Sequence, residues 1–217
     1  MEFINTEPFT IPPKQFDQTE IFHLLDGYTK NKFSSKISDN AKLREGFTTI
    51  HNMRRRIADC LTTDVSGYTR SEDRVIDSIK YIKLYIDLLT ELEKYFIIDE
   101  RGMPINFEWY NCFDESRLSV FLSSEFERGC MVFCLAALYS AYAANAAEDD
   151  AIVTYKEASE FFRYLRDNLS DRYSLEGATD LSVEALTAFS LIMQAQGEEL
   201  SVVKKATGIN FLFLLNL

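Results

Sequence analysis

Acidic side chains are the groups in this sequence that could do chemistry by proton transfer. They stand close together in three pairs, Glu91/Glu93, Glu125/Glu127 and Glu198/Glu199. Two carboxylates with different pKa values can serve as a general acid and a general base. A solvated helix surface carries the same residues, and that interpretation is favoured here. A hydrolase using Glu125 or Glu127 stays open as an alternative, and it predicts an activity that is lost on Glu→Gln substitution.

Motifs for metal binding and for nucleophilic catalysis are missing from the sequence. Zinc sites need Cys and His at ligand spacing, but His23 and His51 are far apart and no C-x-x-C occurs. Cys130 and Cys134 share a helix face among apolar residues, which indicates small core residues. Neither G-x-S-x-G nor a glycine-rich phosphate loop is present. We therefore expect no enzyme activity, no metal and no cofactor.

Composition and charge describe one globular unit with an acidic surface. The 217 residues are 47% hydrophobic with only 8 Gly and 4 Pro, which suits a folded domain with a sizeable core. The net charge of −11 is uneven, with +1 in residues 1–60 and −12 in residues 61–217. Such a surface repels phosphate, so nucleic-acid binding is disfavoured. We expect a cytoplasmic protein with reduced cysteines, since the start resembles no targeting signal and the longest apolar stretch, 131–147, is too short to span a bilayer.

One basic run stands out against this acidic background. Arg54, Arg55 and Arg56 are consecutive, and five further basic residues lie between positions 30 and 44. Two interpretations are open: a peripheral contact with an anionic membrane surface, or the solvated face of a helix, which is the commoner case.

Apolar residues recur at spacings of three and four over most of the chain, which predicts amphipathic helices. These helices are predicted to begin near Asp17, near Asp39, after a capping box at 69–72, at Ser123 or Ser124, at Glu148, and at Asp180. The helix after Ser123 is crowded with Gly and Ala, so we expect it to be central and buried. The two helices on either side of 148 resemble the hairpin unit of helical-repeat proteins.

Two segments depart from the helical pattern. Residues 105–109 alternate apolar and polar side chains, which predicts a short strand that pairs with the extended N-terminal segment or with a neighbour. Residues 209–217 are apolar on all sides. Three interpretations of this tail are open: the start of a truncated helix, a segment tucked into a groove of the protein, or a membrane-touching anchor.

Four sequence blocks, taken in order, resemble the Bro-one domain family, the type of domain found in Alix, in the HD-type phosphatase and in rhophilin. The block at 106–113 is similar to F-x-W-x-D-x-F, with Asn111 at the Asp position. The block at 126–140 is similar to Y/F-E-K-x-x-V-L-F-N-x-x-A-L-x-S, with Cys134 at the Asn position. The remaining blocks lie at 158–165 and 191–199, and the latter resembles the family's A-Q-A-Q-E segment. A weaker likeness to L-R-x-x-A lies at 54–58.

The resemblance implies a mainly α, boomerang-shaped domain with repeat-like (TPR-like) helical hairpins and a small β element. It also implies that residues 1–208 are a truncated domain without its C-terminal half, followed by a divergent tail at 209–217. Members of the family are non-catalytic adaptors in the multivesicular body pathway, recruited to endosomes by binding the C-terminal helix of an ESCRT-III subunit. Two alternatives are a rhophilin-like scaffold for small GTPases and a regulatory fragment without partner binding.

The resemblance also implies partner-binding residues. Ser201 stands where the family has a Phe, Lys204 matches a family Lys, and Leu214 falls near the first of two aliphatic contacts. Exchanging a buried Phe for Ser removes about 1.5–3 kcal/mol of contact energy, so we expect weak binding. A truncated domain also exposes helix faces, which predicts self-association.

Overall fold

The helical periodicity gives long helices that pack on one another in chain order. The computed structural model describes residues 8–35, 40–61, 72–173 and 177–215. The helices are α1 Ile21–Lys32, α2 Ala41–Leu61, α3 Glu72–Glu93, α4 Ser124–Ala143, α5 Glu148–Asn168, the single turn α6 Ser170–Tyr173, and α7 Val183–Leu215. Each long helix contacts the next one along the chain. The predicted mainly α fold is confirmed, while capping-box residues 69–71 lie outside the described part.

A two-stranded antiparallel sheet follows α3 and precedes α4 along the chain. Strand β1, Phe107–Asn111, pairs with β2, Asp114–Phe121, and places Trp109 opposite Ser119. The N-terminal segment adds to the other edge of β1, where Tyr110 N donates to the Gln15 carbonyl oxygen over 2.9 Å. The predicted strand is present, although it begins two residues later than expected. Its predicted pairing with the N-terminal segment is confirmed. Strand β2 was not predicted.

Helix α4 is the centre of the fold. The Ser123 hydroxyl accepts the Glu125 backbone N–H and so caps its first turn. Most of its side chains are buried, including those of Cys130 and Cys134. The small side chains let α3 and α5 pack against it. The prediction of a central, buried helix is confirmed.

Helices α5 and α7 pack against each other, and α7 carries the predicted partner-binding residues. Acidic residues at 148–150 begin α5, where the helix dipole favours negative charge. A 3₁₀ turn, Thr179–Leu181, precedes α7, and the Ser182 hydroxyl accepts the Ala185 N–H. The predicted helix after Asp180 is therefore present, but it continues past 205 to Leu215. The backbone of the apolar tail is thus helical as far as Leu215, in continuation of α7.

Candidate functional site

Arg54 is an interior residue, which corrects the prediction that it joins Arg55 and Arg56 in touching a membrane. Only 2% of its side chain is exposed. Its Nε donates to Glu127 Oε1 over 2.8 Å, and its Nη1 donates to the Asp17 carbonyl oxygen over 2.7 Å. Its guanidinium lies 4.3 Å from the centre of the Phe16 ring. Arg55 and Arg56 are exposed on α2, and a membrane contact through these two stays a prediction.

The two members of the acidic pair Glu125/Glu127 differ in burial. Glu127 is fully buried. Its carboxylate also accepts hydrogen bonds from Tyr85 Oη over 2.9 Å and from Trp109 Nε1 over 2.6 Å. Burial, reinforced by this carboxylate, raises the pKa of the Tyr85 hydroxyl well above its ordinary value. Glu125 is half-buried and accepts a hydrogen bond from Tyr173 Oη over 3.1 Å. Glu127 of α4 therefore joins four elements, since its partners lie on α2, α3 and β1.

A second buried ion pair escaped prediction, because an isolated Lys and an isolated Asp carry no sequence signal. Lys14 Nζ contacts the Asp180 carboxylate, which also accepts the Cys112 N–H over 2.9 Å. The pair fastens the N-terminal segment and the end of β1 to the 3₁₀ turn before α7. Burial raises the pKa of the half-buried Cys112 thiol and of the buried Cys130 thiol, which favours the neutral thiol over the thiolate. Within the described ranges, no three His, Cys, Asp or Glu residues gather as a metal site would require.

The contact between α5 and α7 is close because small residues line it. A Cβ added to Gly197 of α7 would lie 3.3 Å from the Cβ of Tyr155 of α5. One helical turn or more away, the Ser159 hydroxyl donates to the Ser190 carbonyl oxygen over 2.9 Å. This contact fixes which face of α7 lies open beside α5.

Ser201 lies in a groove that follows this contact. The groove has a volume of about 300 Å³. Small or apolar residues form its floor, and charged or amide side chains form its rim. The lining is Ile152, Lys156, Ser159, Glu160, Arg163, Gln194, Gly197, Glu198 and Ser201. An aromatic side chain at 201 would stand in this groove, and Ser leaves the space open.

Lys204 lies one turn beyond Ser201 on the same side of α7. Its Nζ contacts the carboxylate of Asp149, in the first turn of α5. The structure therefore brings Ser201 and Lys204 together beside the start of α5. Leu214 lies near the end of α7, where the structure describes the backbone and not the side chain, so its contact with the partner stays a prediction.

A wider groove, about 790 Å³, lies on the other flank of α5, against α3 and α4. Its residues are Lys83, Ile86, Arg128, Val132, Tyr139, Val153, Lys156, Glu157, Glu160, Phe161 and Tyr164. Sequence reasoning missed it, although a signal was present. Val153, Phe161 and Tyr164 are large apolar residues that lie outside the buried stripe of α5, which includes Tyr155 and Phe162.

The hydropathy of the helices bears on membrane contact. Within the described ranges, no helix has both the length and the apolar character needed to cross a bilayer.

Comparison with protein families gives a match over most of the chain. Residues 9–210 match the family model of the BRO1-like domain. Programmed cell death 6-interacting protein of Mus musculus is 30% identical over 151 residues, which are 64% of this chain and 17% of that protein. The Xenopus laevis protein of the same name is 25% identical over 207 residues, 90% and 23% of the two chains. Vacuolar protein-sorting protein bro1 of Emericella nidulans is 30% identical over 127 residues, 56% and 12%. The chain thus spans about a fifth of the length of such relatives.

Solved structures share the fold. The ALIX BRO1 domain in complex with CHMP4C superposes with a TM-score of 0.77 at 21% identity, covering 93% of this chain and 57% of that one. A structure of a Bro1 domain, described as the basis for endosomal targeting, gives a TM-score of 0.70 at 17% identity, covering 92% and 52%. At these identities the likeness establishes the arrangement of the helices and strands.

Proposed function

This chain belongs to the BRO1-like domain family, and from that premise we propose that it is a non-catalytic adaptor in ESCRT-linked endosomal sorting, which binds the C-terminal helix of an ESCRT-III subunit. One observation carries the proposal: α7 places Ser201 and Lys204 together at an open groove beside α5. Relatives named for vacuolar protein sorting and an ALIX BRO1 domain solved with CHMP4C support the partner class.

The groove suits a helix laid along the surface. Docking of an amphipathic helix needs an apolar trough with a few charged groups that fix its register. The floor of the groove beside Ser201 consists of Ile152 and small residues, which allow a close approach, and Lys204 lies one helical turn beyond Ser201. Asp149 already contacts Lys204, so an acidic group of the partner shares or replaces this carboxylate. An exposed pair of this kind holds together by less than about 1 kcal/mol, which makes the exchange easy.

The proposed place of action follows from the partner. We expect the adaptor to reach endosomes from the cytoplasm by binding the ESCRT-III subunit. Arg55 and Arg56, exposed on α2, could then add an electrostatic contact with anionic lipid. The proposed role needs no catalysis.

Fluorescence anisotropy with a labelled peptide of the CHMP4C C-terminal helix tests the proposal. We expect saturable binding to the whole chain, weakened about tenfold by Lys204→Glu because the acidic partner group then meets a like charge. Lys205→Glu is the matched control, since it makes the same charge change one residue away on the exposed surface of α7. Saturable binding that Lys204→Glu leaves unchanged, or that both variants weaken equally, would remove Lys204 from the site. An absence of binding at millimolar peptide would overturn the function itself.

A further inference from the structure

Lys156 of α5 is a charged residue at the groove beside Ser201 that the proposed function leaves unused. We propose that Lys156 and Lys204 together select a partner helix by the spacing of its acidic residues: two acidic residues seven positions apart, with an apolar residue between them. This inference rests on the proposed function and deepens it, because it defines the charge pattern that the bound helix must carry. No sequence motif pointed to Lys156.

Lys156 differs from the other charged groups of this rim in having no counter-charge. Glu160 and Arg163, one and two turns further along α5, pair with each other over 2.8 Å. On α7, Glu198 accepts a hydrogen bond from Gln194 over 2.7 Å. Within the described ranges, the exposed side chain of Lys156 forms no ion pair and no hydrogen bond. Its ammonium is therefore available to a carboxylate of the partner.

Lys156 lies on the same face of α5 as Asp149, the residue that Lys204 contacts. The two positions on α5 are seven residues apart, which is nearly two full turns and about 10 Å along the helix axis. Because Lys204 reaches from α7 to the first turn of α5, its ammonium lies beside Asp149. Two cationic groups therefore stand at levels of α5 that are about 10 Å apart.

An apolar residue lies between these two levels. Ile152 is three residues after Asp149 and four residues before Lys156, and it is half-buried in the lining of the groove. Residues at spacings of three and four are neighbours on one face of a helix. The surface that the partner meets along α5 is thus cationic, then apolar, then cationic.

The complementary pattern on the partner follows from helix geometry. A helix that lies along α5 has the same rise per residue, so its matching positions have the same spacing. An apolar residue packs over Ile152, and acidic residues seven apart stand opposite Lys204 and Lys156. Glu198, on the α7 side of the groove, repels these acidic residues and turns them toward α5. Acidic residues at another spacing meet at most one of the two ammonium groups.

Double-mutant cycles on the whole chain test the inference. The probe is a labelled peptide of the CHMP4C C-terminal helix, in which each Asp or Glu is replaced in turn by Asn or Gln, and anisotropy reports binding. We expect Lys156→Glu to weaken the unmodified peptide about tenfold and Lys156→Gln about threefold. Lys80→Glu is the matched control, since Lys80 is exposed on α3 and lines neither groove; it should change the affinity less than twofold.

The cycles locate the two acidic residues on the peptide. Lys156→Gln should have no further effect on a peptide that lacks one particular acidic residue, and Lys204→Gln should behave in the same way toward a second one. We expect these two acidic residues to be seven positions apart. Thermal melts establish that each variant folds, and Lys156→Gln adds no negative charge to α5 should Lys156→Glu destabilise it.

The outcomes separate the inference from the function on which it rests. If Lys156→Glu and Lys156→Gln both bind the peptide within twofold of the wild type, Lys156 lies outside the site and the inference is wrong. It is also wrong if the acidic residues coupled to Lys156 and Lys204 are not seven positions apart. If the unmodified peptide does not bind the wild type at millimolar concentration, the proposed function fails first, and the inference fails with it.

Discussion

Arg54 of α2 and Glu127 of α4 form an ion pair inside the protein, with Nε and Oε1 2.8 Å apart and side-chain exposures of 2% and 0%. The second carboxylate oxygen of Glu127 accepts the indole N–H of Trp109. One carboxylate of α4 thus holds α2, α3 and β1, and Arg54 in turn holds the N-terminal segment at the Asp17 carbonyl oxygen. Its neighbour along α4, Glu125, is half-buried and accepts a hydrogen bond from Tyr173 of α6, and sequence alone could not distinguish the two.

Glu127→Gln is expected to destabilise the protein by about 3–5 kcal/mol, because it leaves the guanidinium of Arg54 buried without its counter-charge. Urea denaturation followed by fluorescence measures the loss, and Trp109 is the one tryptophan of the chain. Glu91→Gln is the matched control. Its contact with Lys94 is exposed to solvent and should contribute little to stability. Equal losses in the two variants would mean that Arg54 finds another partner.

Ser201→Phe is expected to strengthen binding of the CHMP4C helix peptide at least tenfold. The aromatic ring would fill open space at the α5–α7 groove, and burying it against the partner is worth about 1.5–3 kcal/mol. Anisotropy titration checks the affinity, with Ser201→Ala as a control that should match the wild type. An unchanged affinity for Ser201→Phe would mean that the partner helix does not cover Ser201.

Prediction from sequence succeeded where one local pattern decides the structure. A serine cap at 123 or 124 and a run rich in small apolar side chains specify a capped, buried helix. The alternation at 105–109 specifies a strand. Strand β2 escaped because its first residues, Asp114 to Arg117, are charged or polar and exposed. Its strand conformation depends on hydrogen bonds to β1, which no local pattern shows.

The site was predictable only in part, for a similar reason. Family resemblance indicated Ser201 and Lys204, and both lie at the α5–α7 contact. It could not show that Asp149 contacts Lys204, since this pairing depends on the packing of two helices. In the run 54–56, three identical side chains look equivalent in sequence. Arg54 nevertheless falls on the buried stripe of α2 with Ile50 and Ile57, so the helical period was a signal that could have placed it inside.

Two glycine substitutions should have opposite effects on stability. A Cβ at Gly102 would lie 2.1 Å from the Ile97 carbonyl oxygen, so Gly102→Ala forces the turn after α3 apart and is expected to cost about 1–3 kcal/mol. Gly46 is inside α2 with open space around it, and Gly46→Ala should stabilise by about 1 kcal/mol through helix propensity. Urea midpoints measure both. A stable Gly102→Ala protein would show that the turn can relax.

Tyr155→Phe is expected to leave the protein as stable as the wild type or more stable by about 1 kcal/mol. The Tyr155 side chain is 1% exposed, and its hydroxyl has no hydrogen-bond partner among the described residues. An unpaired buried hydroxyl opposes folding, because it has left its water partners behind. Tyr95→Phe, at a hydroxyl on a 77% exposed side chain, is the control that should change nothing.

The same hydroxyl gives this variant a signature at high pH. Burial raises the pKa of Tyr155 to about 12 from an ordinary value of 10.0. Between pH 10 and pH 12 the unfolded chain loses this proton while the folded chain keeps it, so the free energy of unfolding falls as the pH rises. Tyr155→Phe cannot lose the proton, and its stability should fall less steeply over that interval. Urea denaturation at pH 9, 10 and 11 compares the slopes. A variant that is destabilised by more than about 1 kcal/mol at pH 7, with the wild-type slope retained, would show that the hydroxyl is paired within the protein.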